Sequence, residues 1–301
     1  MTRTILDGLN GSSPLGFLGA LGLLRVARAE HRDSRLGFLD DGTFRAFLEG
    51  VGGDLALLVE TDATASAGKQ PWRLEYTKVE KKGSKVVADL KAPPEEFKKF
   101  LDTCVALWRR GTSDPVAYAA AFGTTVARDG KGNTKPTAFH FTAAQQQFLG
   151  TVEKIRASVT RSWTERALFQ RHADEPGSNL RWDPAAERNY ALMASNPEAD
   201  RTSVNAPIEW LAFRALALFP TFPEGPRVTT TCVNGRGDDM RMTWPLWSTP
   251  ISLEAARTIL HMLWPSSARE RAGRGVFAVC SSKIRRTAQG FGNFAPATVA
   301  S

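Results

Sequence analysis

The chain reads as an α+β protein of mixed helices and antiparallel β-hairpins in two closely packed lobes, and three observations lead there. A nearly all-apolar helix opens the chain, apolar segments recur in local pairs around short turns, and residues 128–136 carry no hydrophobic period. Strands paired through tight turns favour antiparallel sheets, because parallel pairing needs a long crossover. The aperiodic stretch divides the chain into lobes of residues 1–135 and 136–301.

The opening helix is set by Ser12, Ser13 and Pro14. Either serine suits the N-cap, and the fixed φ of Pro14 suits the first turn. Gly16, Gly19 and Gly22 recur every third residue beside Leu15, Leu18, Leu21 and Leu24. Each glycine costs about 1 kcal/mol of helix propensity relative to alanine, so this row predicts a close backbone contact. Arg35–Leu39 and Thr43–Leu48 flank Asp40-Asp41-Gly42 as a first hairpin, and Trp72–Val79 with Ser84–Leu90 flank Lys81-Lys82-Gly83 as a second. Pro93-Pro94-Glu95-Glu96 starts a helix whose Phe97, Phe100, Leu101, Cys104, Leu107 and Trp108 share one face, ending at Arg109-Arg110-Gly111.

In the second half, one helix runs from about Thr142 with Phe148, Val152, Ile155 and Val159 as its buried stripe. A helix from Asn205 and Pro207 to Pro220 is apolar around most of its circumference and belongs at the centre. Val228–Val233 and Met240–Trp247 form a third hairpin, and a helix follows from Leu253 to about Leu263.

A chain of 301 residues, 42% hydrophobic, buries a substantial core. Cys104, Cys232 and Cys280 are isolated beside apolar residues, as reduced core thiols are, and no zinc spacing occurs. Asp7 before the first apolar run and Arg25 within it argue against a secretory signal, despite Arg3 and Ala27-Arg28-Ala29. With no segment of membrane-spanning length, a soluble cytoplasmic protein without a membrane partner is expected.

The net charge of +8 favours an anionic partner, and the basic residues gather in three places. Lys78, Lys81, Lys82 and Lys85 crowd a hairpin tip; Lys154, Arg156, Arg161, Arg166 and Arg171 follow successive helical turns; Lys283, Arg285 and Arg286 precede a glycine-rich tail. Such groups neutralise phosphates without reading sequence, while Trp163, Phe291 and Phe294 are candidates for stacking on bases. The bland reading of each cluster is a solvated face, and of each aromatic ring a packing element.

No Walker loop, nucleophile elbow or His-Glu-x-x-His motif is present, so a helicase engine is excluded. The most metal-like group is His172 and Asp174 with Asp183 and Glu187, the basis of an alternative reading as a metal-dependent nuclease. Asp174-Glu175-Pro176-Gly177 as a loop and Asp183 as a cap before Pro184 explain the same residues more simply. His31, His140 and His261 stand alone, and Arg236-Gly237-Asp238 is a hairpin turn. No cofactor or bound metal is expected.

Four segments carry a resemblance: Asn10–Arg25, Ala138–Leu149, Leu180–Leu192 and Thr243–Trp247. They resemble a small family of type I-G (formerly I-U) CRISPR loci related to an extension of the helicase-nuclease, and the first also resembles the opening of the large effector subunit. The resemblance implies a non-catalytic component of crRNA-guided DNA interference. Its implied partners are crRNA and target DNA, the CRISPR backbone subunits and the helicase-nuclease. The chain is much shorter than the large subunit, so PAM reading and helicase recruitment are not both implied. A third reading is a protein-docking module that touches no nucleic acid.

Overall fold

A computed structural model describes residues 3–67, 72–80, 83–142, 146–171, 173–184, 203–262, 264, 267–287 and 290–300. Among these residues the architecture is α+β, with every strand pairing antiparallel. β1 (Arg3–Asn10), which sequence reasoning missed because Ile5, Leu6 and Leu9 do not alternate, leads into α1 (Pro14–Glu30). Pro14 occupies the first turn as expected, but neither serine caps the helix. Ser13 makes no side-chain cap, and both the N–H and the Oγ of Ser12 donate to Asn10 Oδ1 at 2.8 Å.

β2 (Arg35–Phe38) and β3 (Arg45–Glu49) form the first expected hairpin, and β1 joins it in the order β1-β3-β2. α2 (Leu55–Ala65) follows, capped by the Asp54 carboxylate accepting from Leu57 N. The second expected hairpin is β4 (Glu75–Glu80) with β5 (Gly83–Ala88). α3 (Pro94–Arg109) stops near Gly111, whose φ of +91° suits glycine, and α4 (Asp114–Phe122) continues the helical layer.

The aperiodic stretch 128–136 is the turn and return strand of a hairpin, β6 (Gly123–Arg128) with β7 (Thr134–Pro136). Asp129 Oδ1 accepts from Lys131 N at 2.8 Å and Asn133 N at 3.0 Å, so local polar bonds order a segment with no apolar pattern. The boundary at residue 135 therefore lies inside β7, and one buried cluster runs from Leu6 to Phe294 on both sides of it.

The single helix expected from Thr142 is two. α5 (Phe148–Ser158) ends at Val159, and Thr160 caps α6 (Arg161–Phe169) by accepting from Trp163 N. The short pair β8 (Glu175–Pro176) and β9 (Ser203–Val204) precedes α7 (Ala206–Ala215), buried along its whole length as anticipated. The third hairpin is differently paired. β10 (Thr221–Glu224) takes β11 (Arg227–Thr230), and Cys232, at φ +65°, interrupts the strand before β12 (Val233–Asn234) reaches β13 (Arg241–Leu246). α8 (Leu253–Leu260) and α9 (Ala268–Gly273) lead to β14 (Ala278–Arg286), the spine that pairs β13, β15 (Gly292–Phe294) and β16 (Thr298–Ala300).

α1 lies against α7 with backbone nearly touching backbone. A Cβ on Gly22 would stand 1.7 Å from Leu211 O, one on Gly19 2.7 Å from Ile208 Cγ2, and one on Gly16 2.2 Å from Asn10 O. The lost helix propensity is offset by the packing this approach permits. Arg25 and Arg214 cross the same seam without stranding charge. Arg25 bonds Asp114, Tyr118 and the Arg214 carbonyl, while Arg214 bonds Tyr118 and pairs with Asp62 at 3.1 Å.

The motif tryptophans tie distant segments together through their indole N–H groups. Trp244 donates to Gly11 O, Trp247 to Leu36 O and Trp182 to Phe139 O, at 2.7–2.9 Å. All three are buried, so these segments build the scaffold. The three cysteines are free, and burial pushes each thiol up to about 12. No helix among the described residues is long and apolar enough to cross a membrane.

Candidate nucleic-acid interface

Four members of the basic clusters seen in the sequence, Arg156, Arg161, Arg166 and Arg286, are committed to carboxylates or carbonyls. On α5, Arg156 bonds Glu153 and donates to Ala63 O at 3.0 Å, while Lys154 is exposed. On α6, Arg161 pairs with Asp54 and its backbone N–H donates to Glu60, while Arg166 pairs with Glu175. The break at Thr160 puts these residues on two helices, and Arg171 lies beyond both, exposed beside a shallow pocket with Asp7 and Arg45.

Lys81 and Lys82 lie outside the described residues. Lys85 is exposed on β5 opposite Lys78, beside exposed Val79 and Val86. At the third cluster Lys283 is half-buried and Arg285 exposed on β14. Arg286 donates to Ala138 O at 2.9 Å and His140 O at 3.1 Å, with its guanidinium over Phe141. Among the stacking candidates, Trp163 and Phe294 are buried, with the Trp163 indole bonded to Ala173 O. Phe291 is half-buried under the Arg181 guanidinium.

Of the four nuclease candidates, two are among the described residues. His172 and Glu187 fall outside them, Asp174 is exposed, and Asp183 adjoins buried Glu209. No group of three or more His, Cys, Asp or Glu suited to a metal occurs among the described residues. Glu209 accepts from Leu180 N at 3.2 Å, and burial, with Asp183 adding to it, pushes its carboxyl up to about 8.

Elsewhere, a cleft of about 520 Å³ opens between the β6–β7 hairpin, the β10–β11 hairpin, the turn after β12 and the end of β14. Lys91, Lys135, Arg227, Arg236 and Arg286 line it against only two carboxylates, Asp129 and Glu224. Arg236 reaches Glu224 at 3.4 Å. Lys91, Lys135 and Arg227 make no ion pair among the described residues, although both lysines are half-buried. Partial burial without a counter-ion carries a desolvation cost that an anion entering the cleft would offset.

Hydroxyls hold the floor in place. Thr230 Oγ1 accepts from Ala138 N at 2.9 Å and lies within 3.3 Å of the Thr137 and Thr221 hydroxyls. Deeper, His140 Nε2 lies 2.8 Å from Asp89 Oδ1, which also accepts from Leu90 N. Burial pulls the imidazole below its ordinary value despite Asp89, while at Asp89 burial, the largest single influence, is outweighed by His140 and the backbone N–H groups of Lys91 and Leu90 together, and the carboxyl falls below its own. The pair is thus a neutral imidazole donating from Nε2 to a carboxylate, a rigid post beneath Lys91.

Sequence reasoning missed Lys91, Lys135 and Arg227 because they stand singly in the chain, beside Ala92, Pro136 and Val228. Only pairing of the hairpins makes them neighbours. The motif segment Ala138–Thr142 was legible, and it supplies Ala138 and His140 to the lining. No family model matches this chain, and no curated protein matches it.

Proposed function

We propose that this protein is a non-catalytic, nucleic-acid-associated subunit of a type I-G CRISPR effector, acting in the cytoplasm. It assists crRNA-guided DNA binding or recruitment of the helicase-nuclease. The observation that carries the nucleic-acid half of this reading is the cleft, where Lys91, Lys135 and Arg227 make no ion pair among the described residues. Unpaired cations are free to release counter-ions on meeting phosphates, whereas a paired arginine must first give up its carboxylate. The net charge of +8 supports the same partner class.

The effector half rests on the resemblance of the four segments at Asn10, Ala138, Leu180 and Thr243. Where described, these segments include α1, the buried Phe139–Thr142 stretch and the bonded tryptophans. What they support is kinship of scaffold, and the cleft supplies the surface on which that scaffold acts.

The test is affinity purification of the chain from cells expressing its whole locus, followed by identification of bound RNA and neighbouring gene products. Recovery with crRNA and the backbone subunits is the expected result. A lone, RNA-free monomer overturns the subunit assignment.

A further inference from the structure

We infer that the cleft is a subsite for one nucleotide of a single strand, its phosphate held by Lys91, Lys135 and Arg227 and its base laid on the apolar walls. This rests on the nucleic-acid reading above and narrows it. A flat basic patch would serve a duplex backbone, but here the cations enclose about 520 Å³, within the roughly 300–1,000 Å³ typical of small-ligand sites. Pro136, Val228 and Met240 contribute apolar wall alongside those cations. Inorganic phosphate would satisfy the charges and leave that wall wet, whereas a nucleotide covers both. An unstacked single strand presents a phosphate and an open base face together; a base inside a duplex must first be extruded.

The floor is built to keep this shape. The Thr137, Thr221 and Thr230 hydroxyls are spent on one another and on backbone groups, so they hold the hairpins together. His140 is fixed by Asp89 and stacked on Phe148. The cleft therefore needs no rearrangement to receive its ligand.

Titration calorimetry on the full chain, with uridine 5′-monophosphate, inorganic phosphate and an oligoglutamate peptide as separate probes, tests the inference. The nucleotide binds at least about tenfold more tightly than phosphate or peptide, and Lys135→Ala weakens it by about tenfold. Val228→Trp fills the cleft from a half-exposed strand position and abolishes nucleotide binding, with an unchanged Tm showing that the fold survives. Should Val228→Trp unfold the chain, Thr229→Trp, from an exposed position on the same strand, replaces it. Phosphate or peptide binding as tightly as the nucleotide overturns the subsite, as does a nucleotide affinity indifferent to Lys135→Ala and to filling. If the subsite fails while the chain still purifies with crRNA, the subunit assignment stands. Nucleotide binding as expected by a chain recovered free of RNA and partners rejects the assignment and keeps the subsite.

Discussion

Two basic regions of this molecule have opposite relations to their own carboxylates. The arginines of α5 and α6 follow one another in sequence, and each meets an acid: Arg156 meets Glu153 one turn back on its own helix, Arg161 meets Asp54 at the start of α2, and Arg166 meets Glu175 on β8. The cations of the cleft come from four distant parts of the chain, and three of them meet none among the described residues. The first region holds helices to their neighbours, since Asp54 caps α2 while binding Arg161 from α6. The second holds charge in reserve. Density of basic residues along a chain thus measures charge, while availability for a phosphate depends on which acids the fold brings near.

The α1–α7 seam is the most closely packed helix pair among the described residues, and α5 and α6 rest on α7, so the largest expected effect is there. Gly22→Ala would press a methyl against Leu211 O, which only separation of the helices relieves, and should cost more than about 3 kcal/mol. Thermal unfolding measures this loss. A normal Tm would mean that the seam is not the frame of α5 and α6 and that the arginine row can be varied independently of it.

Next comes pH, which acts on the frame through Glu209. The folded carboxyl keeps its proton up to about 8, while the unfolded one loses it near 4.5. Between these values the folded state binds more protons, so raising the pH favours unfolding, by up to a few kcal/mol once both values are passed. Glu209→Gln retains an acceptor for Leu180 N and should flatten the fall in Tm between pH 5 and pH 8. A slope that persists in this variant places the titrating group elsewhere.

Removing Lys91, Lys135 and Arg227 together to alanine should then lower single-strand affinity across unrelated sequences and reduce the salt slope by about 2, with little change in Tm. Filter binding over a salt series reads both quantities. An unchanged slope would erase the proposed difference between the regions.

The smallest effects belong to the paired row. Arg156→Ala, Arg161→Ala and Arg166→Ala should each lower Tm slightly and leave the salt slope nearly unchanged. Glu153→Gln with Glu175→Gln releases two arginines and should raise affinity by less than about threefold, sharpening the contrast if it does. A larger loss of affinity from the arginine row than from the cleft would reverse the assignment of the interface.

Much of the architecture was legible because its causes are local. Pro14, the glycine and leucine rows of α1, the Pro93-Pro94-Glu95-Glu96 start of α3, and the turns between β2 and β3 and between β4 and β5 are set by residues near one another in the chain. β1 escaped because it lacks alternation, and its place is set by pairing with β3 some forty positions on. α5 and α6 read as one helix because their apolar stripe is continuous, and the interruption comes from the Thr160 side chain bonding its own next turn.

Residue type and spacing settled that the chain carries excess positive charge, that α1 must pack closely, and that α7 belongs at the centre. They also marked His140 as a lone histidine among aromatics. That Asp89 bonds His140, and that Lys91, Lys135 and Arg227 share one cleft without an ion pair among the described residues, was decided by tertiary pairing. The physical reason is range. Capping, turn chemistry and periodicity act over a few residues, whereas the state of a charge depends on every acid within a few ångströms, wherever in the chain that acid stands.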